Sequence, residues 1–355
     1  MSQSEVRWAD GETQYLSNLW LRDNCPCATC RVPGIGEKTF MVSGVPLDIA
    51  PLEIQVNGDQ LVALWPDGHR SEYTRHDLKG QDEVVAQITL WAGEFGPPRY
   101  CFNDFLAKDN LAAPAIERFL KFGAIVLTDA PTTPDSVEQL SQRLGPIREV
   151  IFDRIHNVVA KAHGYNVAFT NLPLPPHCDL ASLTWPPSAQ ALYMLANEAK
   201  GGDSILVDGW YVAQRIRETH PEYFDVLCRV SVPFRIFDGD KETFAVEPII
   251  RLNTHGDLVQ FRYSNQTMLA IDPSHPLLDE FYCAYHHLTS MIMSESNQAR
   301  FRLDAGQVLL VAGHRVLHGR DSFQLTGRRH LQDAYFDHDN IRNHLRVLQR
   351  KLANA

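Results

Sequence analysis

The sequence predicts a mostly β protein with flanking helices, divided into two domains. Its 355 residues exceed the usual length of one domain, which is about 100–200 residues. Short strands separated by tight turns recur in both halves, and Gly93–Arg99 has the Gly- and Pro-rich composition of a linker. We therefore predict a small β-rich domain over residues 1–95. Residues 96–355 are predicted to form a β-sandwich or jelly roll with helices on its outside.

A β-hairpin is predicted within the first domain. Glu53–Val56 and Leu61–Trp65 have the composition of strands, and Asn57-Gly58-Asp59 between them is a typical turn sequence. A second turn is predicted at Pro66-Asp67-Gly68. Such short strands bury little apolar surface, so this domain is short of core.

Helices and strands alternate at the start of the second domain. Leu111–Phe122 has a helical pattern that ends at Gly123, and the apolar strand Ala124–Leu127 follows. A second helix is predicted over 134–145, capped by Thr133 and opening on a proline.

A third helix is predicted to begin at Pro276, with a stripe of large apolar residues that we interpret as core packing. The stripe comprises Leu277, Phe281, Tyr285, Leu288 and Ile292. The later strands are predicted at Arg300–Leu303, Val308–Ala312 and His330–Phe336.

Composition, charge and the N-terminal segment argue against several classes of protein. The net charge is −10 and the sequence has no basic cluster, which argues against nucleic-acid binding. No apolar run approaches the roughly 20 residues that span a bilayer. Met1–Glu12 lacks the features of a signal or transit peptide, so we expect a cytoplasmic protein without a membrane partner.

One short segment suggests a metal centre. His177 and Asp179 are two apart in an extended, proline-rich segment, so their side chains point to the same side. His318 is the best candidate for a third ligand. Two histidines and a carboxylate on one face of an octahedral ion leave positions open for oxygen and a chelating cosubstrate, as in Fe(II) oxygenases. Taken alone, the His-x-Asp pair is more often just two surface polar residues beside a proline turn.

An arginine downstream strengthens this hypothesis. Arg329 follows His318 by eleven residues. Its guanidinium can grip a carboxylate through two parallel hydrogen bonds. On a strand Arg329 shares a face with Tyr335, whereas Arg328 points the other way, which favours Arg329 as the carboxylate ligand.

A second metal site is predicted near the N-terminus. Cys25, Cys27 and Cys30 place three thiols within six residues, and His69 follows the second turn. Three Cys and one His form the closed tetrahedral shell of a structural zinc ion. His76 lies close enough in sequence to be an alternative fourth ligand.

Four segments resemble, in the same order, the γ-butyrobetaine and trimethyllysine hydroxylases, a family of Fe(II)/2-oxoglutarate-dependent dioxygenases of the clavaminate synthase-like, TauD-like superfamily. They are His177–Asp179, Gly201–Gly209, His318–Arg320 and Arg329–Gln332. The resemblance covers almost the whole chain. It implies a double-stranded β-helix, iron ligated by His177, Asp179 and His318, and 2-oxoglutarate bound by Arg329. It also implies an N-terminal zinc domain with His69 as fourth ligand, and a homodimer.

The same resemblance suggests residues that bind substrate. In γ-butyrobetaine hydroxylases an aromatic cage surrounds the trimethylammonium group, and two asparagines hold the substrate carboxylate. Asn166 and Asn265 match the asparagines, and Tyr335 matches one cage wall. Phe152 and His156 fall near two further walls.

Other positions depart from that pattern. Leu180 and Phe169 stand where the γ-butyrobetaine enzymes carry tyrosines, which thins the cage and weakens its cation–π attraction. Arg262 is either a positive charge near the pocket, favouring a phosphonate, or a solvated strand residue.

These observations together predict a dioxygenase that hydroxylates a small molecule with O2 and 2-oxoglutarate and releases succinate and CO2. The expected substrate is a betaine-like quaternary ammonium carboxylate or an aminophosphonate. The alternatives are the same chemistry on an uncharged or amino-acid-like substrate, a non-catalytic zinc-dependent binding protein on this fold, and a zinc-finger recognition module.

Overall fold

The computed structural model describes residues 2–78, 87–159 and 170–354. The chain divides into two compact units, Met1–Val85 and Ala86–Ala355. This division precedes the boundary predicted at residues 95–96. Trp91 and Phe95 both fall within the domain predicted over residues 1–95. Their rings stack with centroids 4.2 Å apart and pack into a core of the second unit. The segment before Arg99 therefore belongs to the second unit.

The first unit contains a two-stranded and a three-stranded antiparallel sheet. Its elements are β1 Gln3–Arg7, β2 Thr13–Ser17, α1 Asn18–Asp23, β3 Glu53–Asn57, β4 Gln60–Leu64 and β5 Arg70–Thr74. The predicted hairpin is confirmed as β3–β4, and Gly58 in its turn has the positive φ of 61° that glycine accepts readily. Leu61, Trp65 and Tyr73 are buried at the centre of a small core.

The second unit is built on two larger sheets, one of six strands and one of four. The six-stranded sheet comprises β6 Arg99–Cys101, β7 Ala124–Thr128, β8 His156–Val159, β10 Ala189–Asn197, β18 Gln307–Val311 and β21 Arg329–Phe336. Its strand order is β6-β7-β18-β10-β21-β8. The four-stranded sheet comprises β9 Leu174–His177, β12 Ser204–Asp208, β17 Ala299–Phe301 and β19 Val316–Arg320. Its strand order is β17-β12-β19-β9. Short antiparallel pairs are formed by β11 Lys200–Gly201 with β20 Phe323–Gln324, β13 Ser231–Asp238 with β14 Lys241–Pro248, and β15 Ile250–Leu252 with β16 Leu258–Phe261.

The two sheets pack against each other. Leu192 and Leu309 of the six-stranded sheet share one core with Leu206 and Val316 of the four-stranded sheet. The opposite face of the larger sheet is also buried, because Tyr193, one residue along from Leu192, packs among helices. Burial on both faces explains why β10 is an almost continuous apolar run.

The helices of the second unit are α2 Phe102–Ala107, α3 Asp109–Phe122, α4 Ser141–Leu144, α5 Gly209–Thr219, α6 Pro221–Arg229, α7 Leu278–Met293 and α8 His338–Ala353. Short 3-10 turns lie at Ser136–Leu140 and Glu295–Asn297 of this unit and at Val42–Gly44 of the first unit. The end of α3 is confirmed, with Gly123 left-handed at φ 77°. Phe281, Leu288 and Ile292 of α7 are buried, which confirms the stripe as core. In the described ranges no helix is long and apolar enough to cross a membrane.

The helix predicted over 134–145 is wrong in its first half. Asp135 has φ 63°, which interrupts a right-handed helix directly after Pro134. The chain instead forms the 3-10 turn Ser136–Leu140 and then α4.

Candidate metal centre and its cavity

Adjacent strands bring the predicted ligands together. β9 and β19 are neighbours in the four-stranded sheet, with His177 directly opposite His318, and their ring centroids lie 4.5 Å apart. Asp179 follows the end of β9 by two residues. Its Oδ1 lies 3.1 Å from His177 Nε2 and 3.8 Å from His318 Nε2. One atom of each side chain thus lies within 4.8 Å of the others.

Arg262 stabilises the loop after Asp179 through hydrogen bonds to its main chain. Its guanidinium donates to the main-chain carbonyls of Ala181, Leu183 at 2.6 Å and Thr184 at 3.0 Å. Arg262 is 1% exposed. Of the two interpretations from the sequence, a solvated strand residue is therefore wrong; Arg262 is not part of the cavity wall, and its charge is bound by carbonyl groups inside the protein.

The two oxygens of Asp179 have different partners. Oδ2 accepts a hydrogen bond of 2.7 Å from the Gln190 amide and one of 2.8 Å from the Tyr335 hydroxyl. Oδ1 faces the two imidazoles. The same amide also donates to the buried carboxyl of Asp333 at 2.8 Å, and the Tyr335 oxygen lies 3.2 Å from the other Asp333 oxygen.

Burial and the Asp179 charge set the protonation states of the three side chains. Burial lowers the pKa of His318 to about 4, so its ring is neutral near pH 7. Although burial opposes ionisation of Asp179, the attraction of His318 and His177 and the Tyr335 hydrogen bond hold its pKa far below the ordinary range. Although burial opposes the charged ring of His177, the hydrogen bond and charge of Asp179 raise its pKa. His177 Nδ1 donates to the Pro175 carbonyl at 2.9 Å, so a metal bound at Nε2 would replace the other ring proton.

Burial and the nearby Asp179 charge raise the pKa of Asp333 well above its ordinary value. A neutral Asp333 avoids a second buried charge beside Asp179. With a metal in place of the His177 Nε2 proton, two neutral imidazoles and one carboxylate would form the donor set of a facial Fe(II) site, and their ligand atoms lie within 4.8 Å of one another.

The three predicted ligands line a cavity of about 1000 Å³, a volume that includes its opening to solvent. Much of its wall is apolar, formed by side chains from several strands and loops. These include Val158, Leu174, Leu180, Leu192, Ile236 and Leu331. Such a wall excludes water from a reacting centre while leaving a few polar groups to orient a ligand.

Two arginines line this cavity, Arg329 and Arg320, and Arg320 donates to the main-chain carbonyls of Leu172 and Thr170. Arg329 begins β21, is 8% exposed, and its guanidinium lies 4.9 Å from the centre of the Phe323 ring. Its Nε has no hydrogen-bond partner among the described residues. Burial, with Arg302 nearby, lowers the pKa of Arg329 to about 10, so it remains charged at neutral pH. Arg328 is exposed and lies outside the cavity wall.

The first unit contains the other predicted cluster. His69 Nε2 lies 3.3 Å from the sulfur of Cys25, 3.6 Å from that of Cys27 and 3.5 Å from that of Cys30. Bonds of about 2.3 Å to sulfur and about 2.1 Å to nitrogen at tetrahedral angles imply a sulfur–nitrogen separation of about 3.6 Å. His76, the alternative ligand, does not belong to the cluster. The site therefore has the size and donor set of a tetrahedral zinc centre.

Comparison with known proteins identifies the family. Residues 86–335 match the family described as taurine catabolism dioxygenase TauD, TfdA, and residues 2–79 match the N-terminal region described as gamma-butyrobetaine hydroxylase-like. The chain belongs to the TauD, TfdA family of dioxygenases.

Curated relatives of this dioxygenase match it over most of both chains. Gamma-butyrobetaine dioxygenase of Pseudomonas sp. (strain AK-1) is 31% identical, over 97% of this chain and 93% of its own. Mitochondrial trimethyllysine dioxygenase of Rattus norvegicus is 29% identical, over 95% of this chain and 85% of its own.

Solved structures show a shared fold. A taurine dioxygenase from Burkholderia xenovorans aligns with a TM-score of 0.50 at 15% identity, over 63% of this chain and 80% of its own. The non-heme iron oxygenase OrfP, in complex with Fe and alpha-ketoglutaric acid, aligns with a TM-score of 0.50 at 15% identity, over 68% and 94%.

Some predicted substrate residues of the dioxygenase line the cavity. Phe152 and His156 are stacked, with ring centroids 4.7 Å apart and planes 15° from parallel, and both face it. Leu180 is also part of the wall, held in a left-handed backbone conformation with φ 55°. Tyr335 is present too, but its hydroxyl is directed at Asp179.

Asn265 is placed differently from the prediction. It is exposed, and its amide oxygen accepts a hydrogen bond of 3.1 Å from Tyr285 rather than facing the cavity. The neighbouring Gln266 and Thr267 line the wall instead. Asn166 and Phe169 lie outside the described residues.

Sequence reasoning missed two site residues, Gln190 and Asp333. Asp333 could have been found from strand parity, because it shares a face with Arg329 and Tyr335. Gln190 is a polar residue within the apolar strand β10, a pattern that indicates a buried hydrogen-bonding role.

Proposed function

We propose that this dioxygenase hydroxylates a small, betaine-like molecule, using Fe(II) held by His177, Asp179 and His318 and 2-oxoglutarate held by Arg329. The observation that carries the proposal is that one cavity joins three side chains able to bind one metal to the buried guanidinium of Arg329, whose Nε has no hydrogen-bond partner among the described residues. In the proposed reaction O2 oxidises 2-oxoglutarate to succinate and CO2, and the second oxygen atom enters a C–H bond of the substrate. A bound ferrous ion would supply the activation of O2.

The residues of this chain bind and orient the reactants. Arg329 fixes the distal carboxylate of 2-oxoglutarate through paired hydrogen bonds, and Phe323 supports the guanidinium from one side. The apolar wall keeps bulk water away from the metal face. We also propose that the two-sheet unit is a double-stranded β-helix, which fits the shared core between its sheets.

The substrate class follows from the rest of the wall. The stacked rings of Phe152 and His156 offer an aromatic surface suited to a methylated amine. At another part of the wall Gln266 and Thr267 provide polar groups, and the buried Thr267 hydroxyl has no partner among the described residues. Since Arg262 is satisfied by carbonyl groups, the reason for preferring a phosphonate disappears. Both curated relatives are named for substrates that carry a trimethylammonium group.

A matched substrate series tests this function. We expect succinate formation, coupled to consumption of the added compound, to rise from primary amine to dimethylamine to trimethylammonium in a series of ω-amino carboxylates. Methylation spreads the positive charge over apolar groups that suit an aromatic and aliphatic wall. Turnover of no member would contradict the betaine-like substrate. An absence of any 2-oxoglutarate consumption would contradict the dioxygenase chemistry in this chain.

Variants of Leu180 allow the same substrate series to test whether the cavity binds a quaternary ammonium group. Leu180→Tyr should tighten binding of the trimethylammonium compound by about 0.5–2 kcal/mol, the range for a cation–π contact. Leu180→Met, which keeps an aliphatic side chain of similar size, serves as the control. Weaker binding in the tyrosine variant would indicate crowding, and would favour the alternative of an uncharged or amino-acid-like substrate.

We also propose that Cys25, Cys27, Cys30 and His69 hold a structural zinc ion. Freshly purified protein should contain about one zinc per chain at this four-ligand site, and Cys27→Ser should lose most of it. Because zinc binding contributes directly to folding, the variant should melt at a lower temperature before its chemistry changes. Cys283→Ser, which alters an exposed thiol outside the cluster, is the control. Unchanged zinc content in Cys27→Ser would contradict the ligand assignment.

A further inference from the structure

The carboxylate of Asp179 is held on one side by a network from the six-stranded sheet. β10 and β21 are paired with Gln190 directly opposite Tyr335, so their side chains emerge side by side from the same face. Both donate to Oδ2 of Asp179, at 2.7 Å and 2.8 Å. Oδ1 remains directed at His177 and His318.

Asp333 holds the two donors in place. One oxygen accepts from the Gln190 amide at 2.8 Å, and the other lies 3.2 Å from the Tyr335 oxygen, to which the protonated carboxyl can donate. Gln190 has two amide hydrogens, which the two acidic side chains use in full. Gln190, Asp333 and Tyr335 are 3%, 4% and 2% exposed, so water does not compete for these hydrogen bonds.

This arrangement limits how Asp179 can bind a metal. An oxygen that already accepts two hydrogen bonds is a poor additional ligand, which disfavours chelation by both oxygens. Binding through Oδ1 alone leaves one more coordination position for reactants. Groups that hydrogen-bond to metal ligands in this way orient them, and their loss typically costs about 10–100-fold in metal affinity or activity.

We propose that Tyr335 and Gln190 are positioning residues that hold Asp179 with a single oxygen toward the metal, and that Tyr335 acts through its hydroxyl rather than as a wall of an aromatic cage. The inference rests on the proposed iron site. It assigns to Tyr335 a role in metal binding that is separable from substrate binding.

The experiment measures Fe(II) binding to the apoprotein without oxygen or substrate. The test variants are Tyr335→Phe, which removes only a hydroxyl, and Gln190→Met. Tyr193→Phe and Gln332→Met are matched controls: Tyr193 is a buried tyrosine of β10 that donates to Pro131, and Gln332 bonds Asp135 from β21. Thermal unfolding of each apoprotein separates metal effects from loss of fold.

We expect the two test variants to bind Fe(II) about 10–100-fold more weakly than the two controls. The visible charge-transfer absorption of the Fe(II)–2-oxoglutarate complex should also shift or weaken in Tyr335→Phe, while the KM for substrate changes little. Wild-type Fe(II) affinity in Tyr335→Phe, together with a raised substrate KM, would overturn the inference and restore the cage role. Equal Fe(II) affinity in wild type and His318→Ala would instead refute the proposed iron site itself.

Discussion

Alanine at His177, Asp179 or His318 should reduce 2-oxoglutarate turnover to the background rate while the protein stays folded. The three side chains converge on one point and lie at the cavity, outside the apolar clusters of the second unit. Removing one leaves two donors, too few to hold a facial site firmly. Succinate formation measures the loss, and far-UV circular dichroism with thermal unfolding reports the fold.

His330→Ala is a matched control for this experiment. His330 lies on β21 beside Arg329 but bonds Asn157 at 2.8 Å, away from the metal-binding side chains. The variant should keep most of its turnover. Full activity in His318→Ala would show that another residue completes the site.

Local signals explain which elements could be predicted from the sequence. The β3–β4 hairpin and the end of α3 depend on Gly58 and Gly123, whose backbone conformations are set by the residue itself. The failed helix start shows the limit of such signals. Asp135 is held by Gln332, which accepts from its main-chain N–H and donates to its carboxylate, each at 2.8 Å. That contact comes from a strand far along the chain, and it overrides the local preference of Thr133 and Pro134.

The site residues also divide into those that local sequence patterns predict and those that depend on long-range contacts. The two-residue spacing of His177 and Asp179, and the parity of Arg329 along β21, follow from the geometry of a strand. The role of Arg262 does not, because its three carbonyl partners lie in a loop that only the tertiary fold brings near. A charged residue that is usually exposed gives no local sign that it will be buried.

Arg329 is predicted to hold the far carboxylate of 2-oxoglutarate, and its substitution tests this directly. Arg329→Ala should raise the KM for 2-oxoglutarate by about 30-fold to several thousand-fold, because loss of a buried, charged hydrogen-bond partner costs about 2–5 kcal/mol. Arg328 is exposed, and Arg320, which also lines the cavity, already donates to the main-chain carbonyls of Leu172 and Thr170. The KM of Arg329→Lys for 2-oxoglutarate should lie between those of the wild type and Arg329→Ala, because an ammonium keeps the charge but cannot form two parallel hydrogen bonds.

Arg328→Ala is the matched control for Arg329→Ala. The two arginines are adjacent, so any general effect of lost positive charge should appear in both variants, whereas a direct contact with 2-oxoglutarate should appear only in Arg329→Ala. The KM for 2-oxoglutarate is measured at saturating Fe(II) and substrate, and Fe(II) affinity is measured separately. Equal effects in the two variants would mean that the cavity-facing position of Arg329 does not determine cosubstrate binding. A large effect confined to Arg329→Ala, with unchanged Fe(II) affinity, would locate the cosubstrate carboxylate at the β21 end of the cavity.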